Sequence, residues 1–189
     1  MDYTEGQRDE WMIVRDKVLY YVGFYGMFRG GELVGIQWQH VHFPRSGGVM
    51  IFVPSSKTDP QGAGAWVYIP AAKGAEGALV DIVAALQQLQ EMQGGQGYVF
   101  LARRDQTAPL SKQTVTWRVR KALQGRVQDP SLYATHSLRR GGATHAARCG
   151  VSLRYIMVLG RWRSDVVRQY IYCSGKEAMA AATKMLQEP

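Results

Sequence analysis

His136-Ser137-Leu138-Arg139-Arg140-Gly141-Gly142-Ala143-Thr144-His145 is the most informative run in this 189-residue chain. Read as a helix, it sets His136 and Arg139 three positions apart, so both side chains share one face and can converge on a single phosphate. A guanidinium grips phosphate oxygens with a planar fork, and an imidazole beside it can move a proton near neutral pH. Taken alone, an H-x-x-R pair is more often solvated or satisfied in a core, so its meaning depends on its company.

Working outward, Thr135 can cap this helix, which runs to about Arg148. Downstream, apolar spacing and glycine or serine breaks predict helical segments over Leu153 to Leu159, Ser164 to Tyr172 and Lys176 to Leu186. Upstream, Ser111 is the expected N-cap of a helix ending at Leu123, with Gly125 as its stop. Helical spacing also covers Gly77 to Met92, and a glycine-rich break then leads to Tyr98-Val99-Phe100. Near the start, Trp11, Val14, Val18, Leu19 and Val22 predict a core-facing helix over Asp9 to Met27. The Gly30-Gly31 pair then reads as a break before a short helix over Glu32 to Gln37. Between these helices, Trp38 to Phe43, Val49 to Val53 and Ala65 to Ile69 are rich in β-branched and aromatic residues and predict a three-stranded antiparallel sheet. No repeat or linker interrupts the chain. The expectation is one α+β domain over residues 1–189, mainly helical, with a small sheet.

Hydrophobic residues make up 46% of the chain and charged residues 20%, a balance that buries a core and excludes wholesale disorder. The formal net charge of +8 is the footprint of a protein that meets phosphate or another anionic surface. Apolar runs fall far short of the roughly 20 residues of a membrane span, and the first residues are polar. An intracellular protein without membrane association is expected. Cys149 and Cys173 lack metal-ligand spacing and read as reduced thiols.

Three further groups accompany the H-x-x-R run. Gly26-Met27-Phe28-Arg29-Gly30-Gly31-Glu32-Leu33 lies far upstream, and Ser55-Ser56-Lys57-Thr58-Asp59 lies in the predicted turn between strands. Leu159-Gly160-Arg161-Trp162-Arg163-Ser164-Asp165 lies downstream, with Tyr170 nine positions after Arg161. In order and spacing this set resembles the tyrosine recombinase (phage integrase) family, in its C-terminal catalytic domain, over roughly residues 18–185. The wording of the 136–147 and 159–171 runs looks especially like recombinases of eukaryotic mobile elements and some phage-like integrases. That origin would place the protein in a nucleus, and a prokaryotic one in the cytoplasm or nucleoid.

The resemblance implies DNA strand cleavage by transesterification, with Tyr170 as nucleophile and a 3′-phosphotyrosyl intermediate, in integration or excision. By the same resemblance Arg29 and Arg139 clamp the scissile phosphate, His136 assists proton transfer, and Lys57 protonates the departing 5′-oxygen. Arg161 falls where the family carries histidine or tryptophan, a departure that leaves Trp162, one step later, as the other occupant of that role. The physics suits these residues: a phosphodiester gains charge in its transition state, and fixed cations lower that barrier. A tyrosine hydroxyl ordinarily titrates near ~10, so it needs a base or nearby positive charge to attack. No metal or other cofactor is expected, and no phosphate-loop, H-E-x-x-H or clustered-carboxylate motif occurs.

Other residues keep two readings. Glu32 orients a clamp arginine or is a surface acid; Tyr172 is a rival nucleophile or a packing residue; Trp162 stacks near the phosphate or fills the core. Lys57 on its own reads as a solvated turn lysine. Arg103, Arg104, Lys112, Arg118, Arg120 and Lys121 contact DNA phosphates or form a solvated face. The last helix docks on a neighbouring protomer, as a tetramer on DNA, or packs in cis. His145 supports its helix, and His40 and His42 look structural. The family's N-terminal DNA-clamping domain is expected to be absent. Two competing functions remain, a DNA-binding module without catalysis and relaxation of the type IB topoisomerase kind.

Overall fold

A computed structural model of the chain describes residues 9–55, 62–71 and 81–170, together with Met179 and Thr183. Helix α1 (Glu10–Tyr25) begins where Asp9 accepts a hydrogen bond from the Trp11 amide at 3.1 Å. Its inner stripe, Trp11, Val14, Val18, Leu19 and Val22, is buried, as the spacing predicts. After Gly26 comes α2 (Gly30–Val34), which starts earlier and is shorter than expected. The glycine pair does not break the chain; it forms the first turn, and the Leu33 amide already bonds the Arg29 carbonyl at 2.8 Å.

The sheet has the order β1 (Val41–His42), β2 (Val49–Val53) and β3 (Ala65–Ile69), with antiparallel neighbours. Strands β2 and β3 match their predicted bounds because alternation sets one face on the core: Val49, Ile51, Val53, Val67 and Ile69 are buried. The first strand is shorter than predicted. Trp38–His40 coils into a 3₁₀ turn, and Trp38 is buried with its indole N–H donating to Gln93 at 3.0 Å.

Helix α3 (Ile82–Gln93) packs on α1, and its predicted first turn lies outside the described residues. Helix α4 (Lys112–Leu123) carries the predicted cap, Ser111 Oγ accepting from the Thr114 amide at 3.0 Å. Helix α5 (Thr135–Arg148) has the expected span, but its N-cap is Ala134 rather than Thr135. Thr135 is instead buried between helices: its amide donates to Thr116 Oγ1 at 3.3 Å and its hydroxyl to the Lys112 carbonyl at 3.0 Å. These bonds lock the start of α5 onto α4. Gly142 allows the other close approach, since a Cβ there would stand 2.1 Å from the Phe24 carbonyl oxygen of α1.

Helix α6 (Leu153–Gly160) follows, and then a 3₁₀ turn, Asp165–Tyr170, packs against α5. The large core joins α1, α3, α4 and the sheet, whereas Met27, Ala143, Ile156, Trp162 and Val167 form a smaller cluster under α5 and α6. Among the described residues no helix is long and apolar enough to cross a membrane.

Candidate active site

The junction of α1 and α2 places Arg29 where its side chain and its backbone meet one carboxylate. Glu32 Oε1 accepts from Arg29 Nη1 at 2.8 Å, and Oε2 accepts from the Arg29 amide at 3.0 Å. Arg161 approaches from the end of α6, and its Nη2 reaches Glu32 Oε2 at 2.9 Å. Glu32 is therefore no solvated surface acid; its side chain is only 6% exposed. Burial alone would raise its pKa, yet the Arg161 charge and the hydrogen bonds from Arg29 outweigh burial and hold it below the ordinary carboxylate value.

Arg139, on the inner face of α5, is buried. One terminal nitrogen donates to the Met27 carbonyl, between α1 and α2, and the other to the Gly160 carbonyl at the end of α6. The Trp162 ring centroid lies 3.9 Å from its guanidinium carbon, so this tryptophan belongs to the core and packs against the Arg139 cation at once. That contact needs glycine at position 160, since a Cβ there would stand 1.6 Å from the ring. Gly160→Ala has to displace Trp162 or unwind the last turn of α6, a cost of about 2 kcal/mol. A lower midpoint of chemical denaturation is the expected result; an unchanged midpoint would show that the ring is not held there.

His136 opens the first turn of α5 at the solvent edge of this group. Partial burial, and then the like charges of Arg139, Arg140 and Arg29, push its pKa below the ordinary value of 6.5. Arg140 thus acts on His136 electrostatically, which the sequence did not indicate. Lys112 also borders the site, its stem lying 3.6 Å from where a Cβ on Gly30 would stand.

The backbone of Tyr170 closes the 3₁₀ turn anchored by buried Val167 in the same small cluster as Met27 and Trp162. Lys57, Tyr172, Cys173 and nearly all of the expected last helix lie outside the described residues. The other basic residues do not converge here. Arg103 pairs with exposed Asp105 at 3.1 Å, and Arg104 donates to the Met92 carbonyl at 3.3 Å. Arg118 reaches Asp16 at 2.6 Å, beside buried Arg15, which donates to the Leu101 carbonyl at 2.8 Å. Arg120 ties down the Ser131 and Tyr133 carbonyls, and Lys121 lies over the exposed Trp117 ring at 5.0 Å. His145 contacts Phe24 and Tyr25 and lies 3.6 Å from the free thiol of Cys149, while His42 meets Trp66 edge to face.

The phage integrase family profile matches residues 5–176. The chain belongs to the phage integrase family. Over 164 residues it is 38% identical to the integrase/recombinase xerD homolog of Selenomonas ruminantium, a match covering 84% of this chain and 47% of that protein. The chain thus spans about half the length of the curated relative it matches. Among solved structures, it resembles XerH site-specific recombinase bound to palindromic difH substrate in a post-cleavage complex, with a TM-score of 0.72 at 14% identity. That match covers 96% of this chain and 48% of XerH. A lambda integrase tetramer bound to a Holliday junction superposes with a TM-score of 0.56 at 20% identity, covering 87% of this chain and 46% of the integrase. At these identities the likeness establishes the mainly helical integrase-family fold with its small antiparallel sheet.

Proposed function

We propose that residues 1–189 form a catalytic domain of a site-specific DNA recombinase, which cuts and rejoins strands through Tyr170. The Tyr170 hydroxyl oxygen attacks the scissile phosphorus, the bond from phosphorus to the 5′-oxygen breaks, and a 3′-phosphotyrosyl link and a free 5′-hydroxyl result. Religation reverses these bonds and needs no ATP, because the phosphodiester energy stays in the covalent link. Arg29 and Arg139 stabilise the charge on the nonbridging oxygens, His136 takes the tyrosine proton, and Lys57 supplies the proton for the leaving oxygen. Double-stranded DNA is the partner, with Lys112 and Lys121 as backbone contacts; a homotetramer assembles on it through the last helix, inside the cell. The observation that carries this reading is the convergence of Arg29, His136 and Arg139, two arginines fixed from behind and one imidazole kept neutral, on the fold of an integrase-family member.

A pool of nicked duplexes, some with sequences flanking the chain's own coding region and some with randomised cores, tests the reading on a denaturing gel. A protein-DNA adduct is expected. Tight binding without an adduct would instead make the chain a binding module.

The same assay checks His136. Its charged form is disfavoured by burial and by three guanidiniums, so it loses its proton at a pH below 6.5 and is a competent base at neutrality. Cleavage is expected to persist down to that lowered value and to fail only beneath it. The His136→Ala variant should lose this acid limb along with most of its rate; a wild-type limb at or above 6.5 contradicts the assignment.

A further inference from the structure

Arg161 occupies the position where the family carries histidine or tryptophan, yet its surroundings are those of an internal tie. Its Nη1 donates to the carbonyls of Gly26 at 3.2 Å and Leu159 at 3.1 Å. Its Nη2 donates to the Met27 carbonyl at 3.2 Å and to Glu32 Oε2 at 2.9 Å. All four terminal N–H groups are thus taken by the protein, while Nε is buried without a partner. The guanidinium carbon lies 4.9 Å from the Phe28 ring centroid, and the side chain is 8% exposed.

The backbone is bent to make this tie. Among the described residues, Met27 at φ 47° and Arg161 at φ 59° are the only non-glycine residues in the left-handed region. Such conformations persist where the surroundings over-determine them, and they cluster at functional sites. Both lie in one network. The Met27 carbonyl accepts from Arg139 and Arg161, and the Glu32 carboxylate accepts from Arg29 and Arg161. Arg161 is bonded to the acceptor behind each clamp arginine, and the Trp162 ring next to it covers the Arg139 face.

We propose that Arg161 is a positioning residue for strand cleavage, holding Arg29 through Glu32 and Arg139 through the Met27 carbonyl, with no direct contact to the phosphate. This rests on the recombinase reading above. An imidazole has two nitrogens and cannot span four acceptors, so histidine, although the family's own residue, does not replace it. A lysine keeps the charge opposite Glu32 but lacks the planar fork.

The test is single-turnover cleavage of nicked duplexes by the full chain and by Arg161→His, Arg161→Lys, Glu32→Gln and the double variant Glu32→Gln/Arg161→Met, below each variant's unfolding midpoint and at saturating protein. Arg161→His is expected to slow cleavage roughly 10²-fold, the scale of losing one preorganised donor, with DNA affinity unchanged. Arg161→Lys should recover part of the rate. The double variant should be no slower than the worse single one, because both changes sever one tie. Should Arg161→His not fold, Glu32→Gln decides, with slowed cleavage at unchanged affinity expected. Wild-type rates in Arg161→His or Glu32→Gln, or multiplied losses in the double variant, overturn the proposal alone. Failure of the wild-type chain to form an adduct overturns the recombinase reading and this inference with it.

Discussion

Tyr170→Phe is expected to abolish covalent attachment to DNA while leaving DNA binding intact. The substitution removes one oxygen, the atom that bonds phosphorus in the proposed mechanism; Arg29, Arg139 and the His136 ring are left unchanged. The loss should reach about 10⁴-fold or more, the scale on which removal of a nucleophile acts. Affinity should stay within about twofold, because phosphate neutralisation by Lys and Arg dominates binding. Tyr172→Phe is the matched control, carrying the same change two residues away, and should retain cleavage. Both variants are read by adduct yield on a denaturing gel and by equilibrium binding. An adduct that survives in Tyr170→Phe and vanishes in Tyr172→Phe would move the nucleophile.

Arg139→Lys should damage stability and cleavage together. The wild-type guanidinium spans two carbonyls, Met27 and Gly160, 133 residues apart in the chain, and lies over the Trp162 ring. An ammonium on a single nitrogen cannot reach both acceptors, which leaves a buried carbonyl unsatisfied at a cost of about 1–3 kcal/mol. Weakening of the cation–π contact on Trp162 adds about 1 kcal/mol. The expected total is a destabilisation of about 2–4 kcal/mol in urea, with no change in the denaturant slope. Cleavage below the new midpoint should fall roughly 10²- to 10³-fold, as for other preorganised donors. A variant of wild-type stability would show that the two carbonyls do not need Arg139. A stable and fully active variant would remove it from the clamp as well.

Where local composition and spacing agree with burial, the sequence was legible. Strands β2 and β3 follow from β-branched and aromatic runs bounded by turn residues, α4 from Ser111 as its cap, and the buried stripe of α1 from its helical spacing. Local signals misled where tertiary contacts competed with them. Gly30 and Gly31 suggest a break, but Glu32 returns to the Arg29 amide and makes them a first turn. Thr135 has the chemistry of a cap, but Thr116 and the Lys112 carbonyl draw it between two helices.

At the site, the sequence pointed to Arg29, Glu32, His136, Arg139, Arg161 and Trp162 but could not divide their labour. The hinge of the arrangement is the Met27 carbonyl, a backbone atom that no residue type announces. Arg15 shows the same limit, since nothing in its neighbours along the chain distinguishes a buried arginine on the Leu101 carbonyl from a solvated one.

The most direct test of the central claim is to digest the protein-DNA adduct with trypsin and nuclease and to locate the nucleotide by tandem mass spectrometry. Tyr170 and Tyr172 both fall between Arg168 and Lys176, so one tryptic peptide carries both, and fragments that part them at Ile171 decide. A nucleotide joined through its 3′-phosphate to Tyr170 is expected. A 5′-phosphate linkage, or attachment at Tyr172, would contradict it.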